Sequence, residues 1–276
     1  MKLNRVLVVY KSLSDEDRAT LSRHRRQHHH RHNETLDAIV RTLRHHRIPY
    51  RLLNRRKLRH GFTASLIVTI GGDGTVLSAV HVAGAIPILG VNSRPGKSVG
   101  FYCAATRATF PHILRQVLQE SWKPAKLPLL EAKINGKPFP FLALNDILVA
   151  STVPSDLMSY RLRVGTQTEW QRSSGLWICA GPGTTAGYHS AGGKSAAMTS
   201  SQLRYLVREP CPFPGQRPGQ RYRFARGVIP RGQTIRITGD GKGATICLDG
   251  PSLVTHLKAG DVLTVRIAHQ SVFLVR

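Results

Sequence analysis

The run LIVTIGGDGTVLSAV, Leu66 to Val80, restricts the fold of this chain more than any other stretch. Leu66 to Ile70 are apolar or β-branched and read as a buried strand. Gly71, Gly72, Asp73, Gly74 and Thr75 follow, and then a helix-like segment. A strand that passes through glycines into a helix belongs to a parallel sheet covered by helices. With no Cβ in the way, such a turn lets the backbone approach phosphates, and the N–H groups of the helix start favour negative charge. Asp73 is the odd member, because a carboxylate repels phosphate. It makes sense if it takes a proton from an attacking hydroxyl or holds a metal. An ordinary strand-to-helix turn with Asp73 as a cap is the competing reading. No G-K-S/T closes the loop, so it is not a Walker A loop.

The flanking segments extend the α/β pattern. RVLVVY (5–10) and IPILGVN (86–92) read as further buried strands. In NETLDAIVRTLRHHRI, Leu36, Ile39, Val40 and Leu43 share one helical face, and Asn33 is a suitable N-cap. ATFPHILRQVLQES (108–121) reads as a helix starting near Pro111. After Pro124 the pattern changes. Asn135-Gly136 between strand-like runs signals a hairpin, and YRLRVG, GLWICA, RGQTIRITG, ATICLDG and DVLTVRIA are short strands separated by turn residues. The fold class expected is α/β, with an N-terminal parallel-sheet domain over 1–122 and an antiparallel, β-rich, sandwich-like domain over 123–276. The last strands are left free to return to the first domain.

Hydrophobic residues make up 41% of the 276, enough for a substantial core. No apolar run reaches the ~20 residues that span a bilayer. The first strand is too short for a signal peptide, and no small-residue cleavage site or Arg-rich presequence accompanies it. A soluble, cytoplasmic protein is expected. Cys103, Cys179, Cys211 and Cys247 have neither zinc-site nor disulfide-framework spacing and read as reduced thiols. Forty Lys and Arg against 15 Asp and Glu leave a formal charge of +25. That field attracts polyanions without naming one. Binding of nucleic acid is not expected from it, because a generally basic proteome gives the same number.

The pentapeptide GGDGT resembles the signature shared by NAD kinases, lipid kinases and phosphofructokinases. Downstream, PILGVNSRPGKSVGF (87–101) resembles the NAD-kinase stretch PxxGxN…GF rather than the PxGTxND of lipid kinases. ALNDILVA (143–150) resembles the family's LNE segment, QRSSGLWICAGPGTTAGYHSAGG (171–193) its segment ending GSTAYxxSAGG, and CLDGP (247–251) its late DG turn. Taken in order, these motifs are similar to the NAD kinase family. The start of the chain, GVNSRP and SSGL are closest to its mitochondrial-type branch, also found in bacteria.

The resemblance implies a kinase that moves the γ-phosphate of ATP to the 2′-hydroxyl of the adenosine ribose of NAD, giving NADP. Asp73 would be the general base and also contact NAD with Gly74. Gly71, Gly72, Gly74 and Thr75 would lie against ATP phosphates. Asn145 and Asp146 match the Asn-Glu pair on the NAD ribose and adenine region. Arg172, Ser174, Thr185, Ala186 and Ser190 match further NAD positions, with Ser174 standing where most members have Asp and Gly187 where most have Tyr. Magnesium or another divalent cation accompanies ATP; no residue is assigned to a resident metal. A homodimer or larger homo-oligomer is implied, with no membrane partner.

A lipid or other hydroxyl kinase using the same loop, and a basic polyanion-binding protein on a kinase-like scaffold, are the alternatives. GPGTTAG also spells a Rossmann-like glycine pattern, but Gly192-Gly193 would interrupt its helix and no acidic residue follows at the distance needed for a ribose. RHRRQHHHRH (23–32) reads as a segment between the first strand and first helix, either a solvated loop, an adventitious metal chelator, or a clamp of Arg25, Arg26 and Arg31 over the phosphoryl donor.

Overall fold

The computed structural model describes residues 3–11, 23–213, 215, 222–241 and 243–276; for 23–29 it describes the backbone only. Two compact units emerge, Met1–Lys126 with Val272–Arg276, and Leu127–Ser271.

The first unit holds β1 (Val6–Tyr10), α1 (Arg23–His45), β2 (Tyr50–Asn54), β3 (Leu66–Gly71), α2 (Asp73–Ala83), β4 (Ile88–Asn92), β5 (Cys103–Thr106) and α3 (Phe110–Leu118). All its strand pairs are parallel, in the order β2-β1-β3-β4-β5. Leu66, Val68 and Ile70 are fully buried with Val6, Val8, Leu89 and Val91 beneath Ile39 and Leu43 of α1 and Phe110 and Leu114 of α3. Burial of each such side chain stabilises by about 1.5–3 kcal/mol, so β3 is a firm platform for the loop that leaves it. Helix α2 connects β3 to β4 and packs against both strands. The chain runs one way from β1 to β2 and the other way from β3 to β4, so the β1/β3 boundary is a topological switch point. Ligand crevices in such sheets lie there, beyond the carboxyl ends of the strands. The glycine loop leaves β3 at that end.

Helix α1 starts at Arg23, not at Asn33, so residues 23–32 are helical rather than a loop, and Asn33 is an interior residue, not a cap. Arg and Gln are good helix formers and sustain the extra turns without an apolar stripe. Among the described side chains of α1, His32, Thr35, Ile39 and Leu43 are buried. Arg31 is exposed. Residues 12–22 and the side chains of Arg25 and Arg26 lie outside what is described.

The second unit is antiparallel. Its strands are β6 (Ala125–Ile134), β7 (Lys137–Pro138), β8 (Asp146–Ser151), β9 (Met158–Val164), β10 (Gln167–Ser173), β11 (Gly175–Cys179), β12 (Leu203–Arg208), β13 (Arg226–Ile229), β14 (Ile235–Asp240), β15 (Ala244–Leu248), β16 (Leu253–Leu257) and β17 (Val262–Leu274). Between β11 and β12 lie a 3-10 turn, Pro182–Thr185, and a single helical turn, α4 (Gly187–Ser190). One sheet runs β13-β12-β11-β8-β15-β16, and a second layer pairs β10, β9, β14 and β17. Ile147, Val149, Leu176, Ile178 and Ile246 of the first sheet meet Tyr160, Leu162, Ile235, Ile237 and Val265 of the second in one core. The expected hairpin is present. Asn135 and Gly136 both take positive φ, +50° and +79°, as a tight two-residue turn requires. The end of β17 returns to the first unit, where Leu274 pairs with Ile88 in parallel. Among the described residues no helix is long and apolar enough to cross a membrane.

Candidate active site

In the first unit the glycine loop has a defined geometry. Gly72 is the N-cap of α2 and Asp73 its first residue, so Asp73 is not the cap. Its carboxylate is held from outside the helix: Oδ1 accepts the backbone N–H of Tyr102 at 2.8 Å. The Ser98 hydroxyl stands against Gly72, in the place a Cβ on residue 72 would take. Gly71 accepts the N–H of Ser93 at 3.0 Å, tying the loop to the segment after β4. Asp73 is half-buried and Gly74 exposed, whereas Thr75 is buried with its hydroxyl turned onto Gly71. Burial and the Asp73 charge push the Cys103 thiol up to about 12, so it stays protonated beside the loop.

In the second unit a separate cluster forms at the start of β8. Asp249 directs both carboxylate oxygens at the preceding loop, accepting the N–H of Leu144 at 2.9 Å and of Asn145 at 2.7 Å. Its own N–H donates to the Asp146 carbonyl at 3.0 Å. Asp146 is buried, 5% exposed, and burial followed by the like charge of Asp249 raises its carboxyl to about 7. The Asn145 carbonyl fills the place a Cβ on residue 183 would take, so the 3-10 turn lies directly against the Asn145 loop. Thr184 is buried, its hydroxyl donating to Gly181 at 2.7 Å and accepting from the Ala196 N–H at 3.0 Å. Thr185 and Ser190 are exposed, and Ala186 joins the 3-10 turn to α4. At Gly187 the Trp177 indole occupies the side-chain space.

Arg172 and Ser174 are not part of that cluster. Gly175 pairs with Ala150, while Cys179 pairs with Asp146, so Ser174, one residue before β11, lies roughly 16 Å away along the strand direction at ~3.3 Å per residue. There Ser174 is buried and its hydroxyl donates to the Glu209 carboxylate. The Arg172 backbone is pinned by Tyr222 Oη, which accepts its N–H at 3.2 Å, and by Cys211 N–H, which donates to its carbonyl at 2.8 Å.

The sequence motifs assign no role to Asp249 or Arg55. Asp249 carried a usable signal, a D-G pair after a strand, and it takes positive φ, +52°. Nothing in the local pattern marked Arg55, which stands beside Gly74.

Residues 3–122 match the ATP-NAD kinase N-terminal domain. A probable NADH kinase of Oryza sativa subsp. japonica is 31% identical over 258 residues, covering 85% of this chain and 78% of that protein. An NAD kinase from Archaeoglobus fulgidus, solved in complex with ATP, superposes with a TM-score of 0.71 at 20% identity, covering 99% of this chain and 93% of that one. Yeast NADH kinase, solved with NADH, gives 0.74 at 17% identity, with 99% and 83% covered. The chain belongs to the NAD kinase family and is an NAD(H) kinase. That membership displaces the lipid-kinase and polyanion-binding alternatives.

Proposed function

We propose that the protein transfers the γ-phosphoryl group of magnesium-bound ATP to the 2′-hydroxyl of the adenosine ribose of NAD, giving NADP and ADP. The observation that carries this reading is the Asp73 carboxylate, held by the Tyr102 N–H at the mouth of the glycine loop. Asp73 takes the proton of the 2′-hydroxyl, whose oxygen forms a bond to the γ-phosphorus while the bond to the bridging oxygen breaks. The exposed Gly74 and the N–H groups at the start of α2 receive phosphate oxygens. Asn145 and Asp146 hold the ribose and adenine, supported by Asp249. Arg172, Ser174, Thr185, Ala186 and Ser190 contact the remainder of the dinucleotide. Magnesium arrives with ATP; it keeps mostly phosphate and water ligands and needs few from protein.

NADH is the second acceptor to consider, because the rice and yeast relatives are named NADH kinases. Purified protein incubated with ATP, magnesium and either NAD or NADH, then assayed with an NADP(H)-specific enzyme, tests the reading. No 2′-phosphorylated product from either acceptor refutes it, and the ratio of kcat/KM values decides between them. At least a homodimer is proposed by the same resemblance, with light scattering as its check.

A further inference from the structure

Arg55 follows β2 and opens a 3-10 turn, Arg55–Lys57, capped by the Asn54 side chain accepting the Arg56 N–H at 2.9 Å. Because β2 and β3 lie in one parallel sheet, this turn emerges on the same side as the glycine loop. Arg55 Nη1 lies 3.9 Å from where a Cβ on Gly74 would stand. The side chain is half-buried, and among the described residues no carboxylate pairs with it. Burial, and then repulsion from Arg56, lower its pKa from the ordinary arginine value. A cation held in that way is stabilised by an anion brought from outside.

We propose that Arg55 binds the phosphoryl group in transit and is a catalytic residue for the donor side of the reaction. The inference rests on the phosphoryl-transfer reading given above. Gly74 is the chain neighbour of Asp73. For Asp73 to take the proton, the ribose 2′-oxygen must come within hydrogen-bond reach of it, and the γ-phosphorus must lie ~3–3.5 Å beyond that oxygen. The phosphorus nearest the loop is therefore the one being transferred. The dinucleotide's own pyrophosphate hangs from the 5′-carbon, several bonds further along the ribose. A guanidinium beside Gly74 can fork two N–H groups onto γ-phosphate oxygens and neutralise charge as it spreads over them. The electron pair of the broken bond leaves with ADP, and the proton goes to Asp73. The loop thus has a carboxylate for the hydroxyl and a guanidinium for the phosphate, with Gly74 between them.

The test compares the parent with Arg55→Gln and Arg55→Lys. In the Gln variant kcat/KM for ATP should fall about 10–100-fold, with KM for NAD within about twofold of the parent. The Lys variant should recover part of the loss, because it keeps the charge and loses the fork. Equilibrium binding of a magnesium-bound, non-hydrolysable ATP analogue should weaken in the same order without any turnover. The melting temperature of the Gln variant should equal or exceed that of the parent, since a repelled, half-buried charge has been removed. Parent-like ATP kinetics, a rise in KM for NAD alone, or a fall in melting temperature with equal losses for both substrates would each overturn the proposal. A parent protein that makes no NADP(H) sinks the kinase reading by itself. An active parent with an unaffected Gln variant sinks only the role of Arg55.

Discussion

The glycine loop of the first unit and the Asn145 cluster of the second hold their functional groups by different means. Asp73 lies two residues beyond its strand, and its outside support, Tyr102, is 29 residues away. The Asn145 loop is held by a carboxylate 104 and 105 residues away, and by a glycine that lets the 3-10 turn close on its carbonyl. The first site is a backbone device carrying one carboxylate, that of Asp73. The second is a side-chain device, in which the group that shapes the loop also adds, after burial, to the raised pKa of its neighbour Asp146. In the first, chemistry and stability separate; in the second, they are coupled.

The largest effect should come from Asp73→Asn. Activity should fall ~10²–10⁴-fold in kcat, with a smaller change in NAD affinity. The melting temperature should stay close to the parent value, because the Asn oxygen can still accept the Tyr102 N–H. Full activity in that variant would remove Asp73 from the mechanism and dissolve the contrast. Asp249→Ala comes next. It strands the Leu144 and Asn145 N–H groups, each of which gives a charged acceptor a bond worth about 1.5–3 kcal/mol. Thermal unfolding should therefore come earlier, and KM for the dinucleotide should rise about tenfold with KM for ATP little changed. An unshifted melting curve would show that the clamp carries no structural load.

The same contrast explains what could be read from the chain alone. Strand β3, the loop and α2 are written in fifteen consecutive residues, and local periodicity and glycine chemistry suffice to recognise them. Likewise the turn at Asn135-Gly136 declares itself by residue type. The start of α1 did not, because residues 23–31 carry no apolar stripe and helix propensity without periodicity leaves no mark. Asp249 was visible as part of a turn, yet its grip on Leu144 and Asn145 exists only once β8 and β15 lie side by side. The position of Arg55 beside Gly74 likewise requires β2 and β3 to share a sheet.

Asp146 offers a smaller and more specific test. Its carboxyl titrates at about 7 in the fold, raised from 3.8, with burial as the larger cause and Asp249 the second. A raised acid pKa means that the neutral form is preferred in the native state. This contribution to stability is complete below about pH 4 and is lost as pH rises through about 7. Binding should move the other way, since the carboxylate accepts ribose hydroxyl protons better than the acid does. KM for NAD should thus fall several-fold, about three to tenfold, as pH rises from 6 to 8. Asp146→Asn should flatten that profile, and Asp249→Asn should shift its midpoint to lower pH by removing the like charge. A parent profile that is flat across this range would detach Asp146 from dinucleotide binding.

The smallest effect is expected at Glu209. Its carboxylate accepts the Ser174 hydroxyl at the end of β11 remote from Asp146. If the adenosine half of the dinucleotide lies at Asn145 and Asp146, that remote end serves the nicotinamide half. Oxidised nicotinamide carries a positive charge and reduced nicotinamide does not, so a carboxylate there favours NAD over NADH. At an exposed position such attraction amounts to about 0.2–1 kcal/mol. Glu209→Gln should accordingly shift the NAD-to-NADH ratio of kcat/KM by about two- to fivefold towards NADH, with ATP kinetics unchanged. The shift should diminish at high salt, where the carboxylate is screened. An unchanged ratio at low salt would mean that the Ser174–Glu209 pair shapes the β10–β11 turn and leaves acceptor choice to other residues.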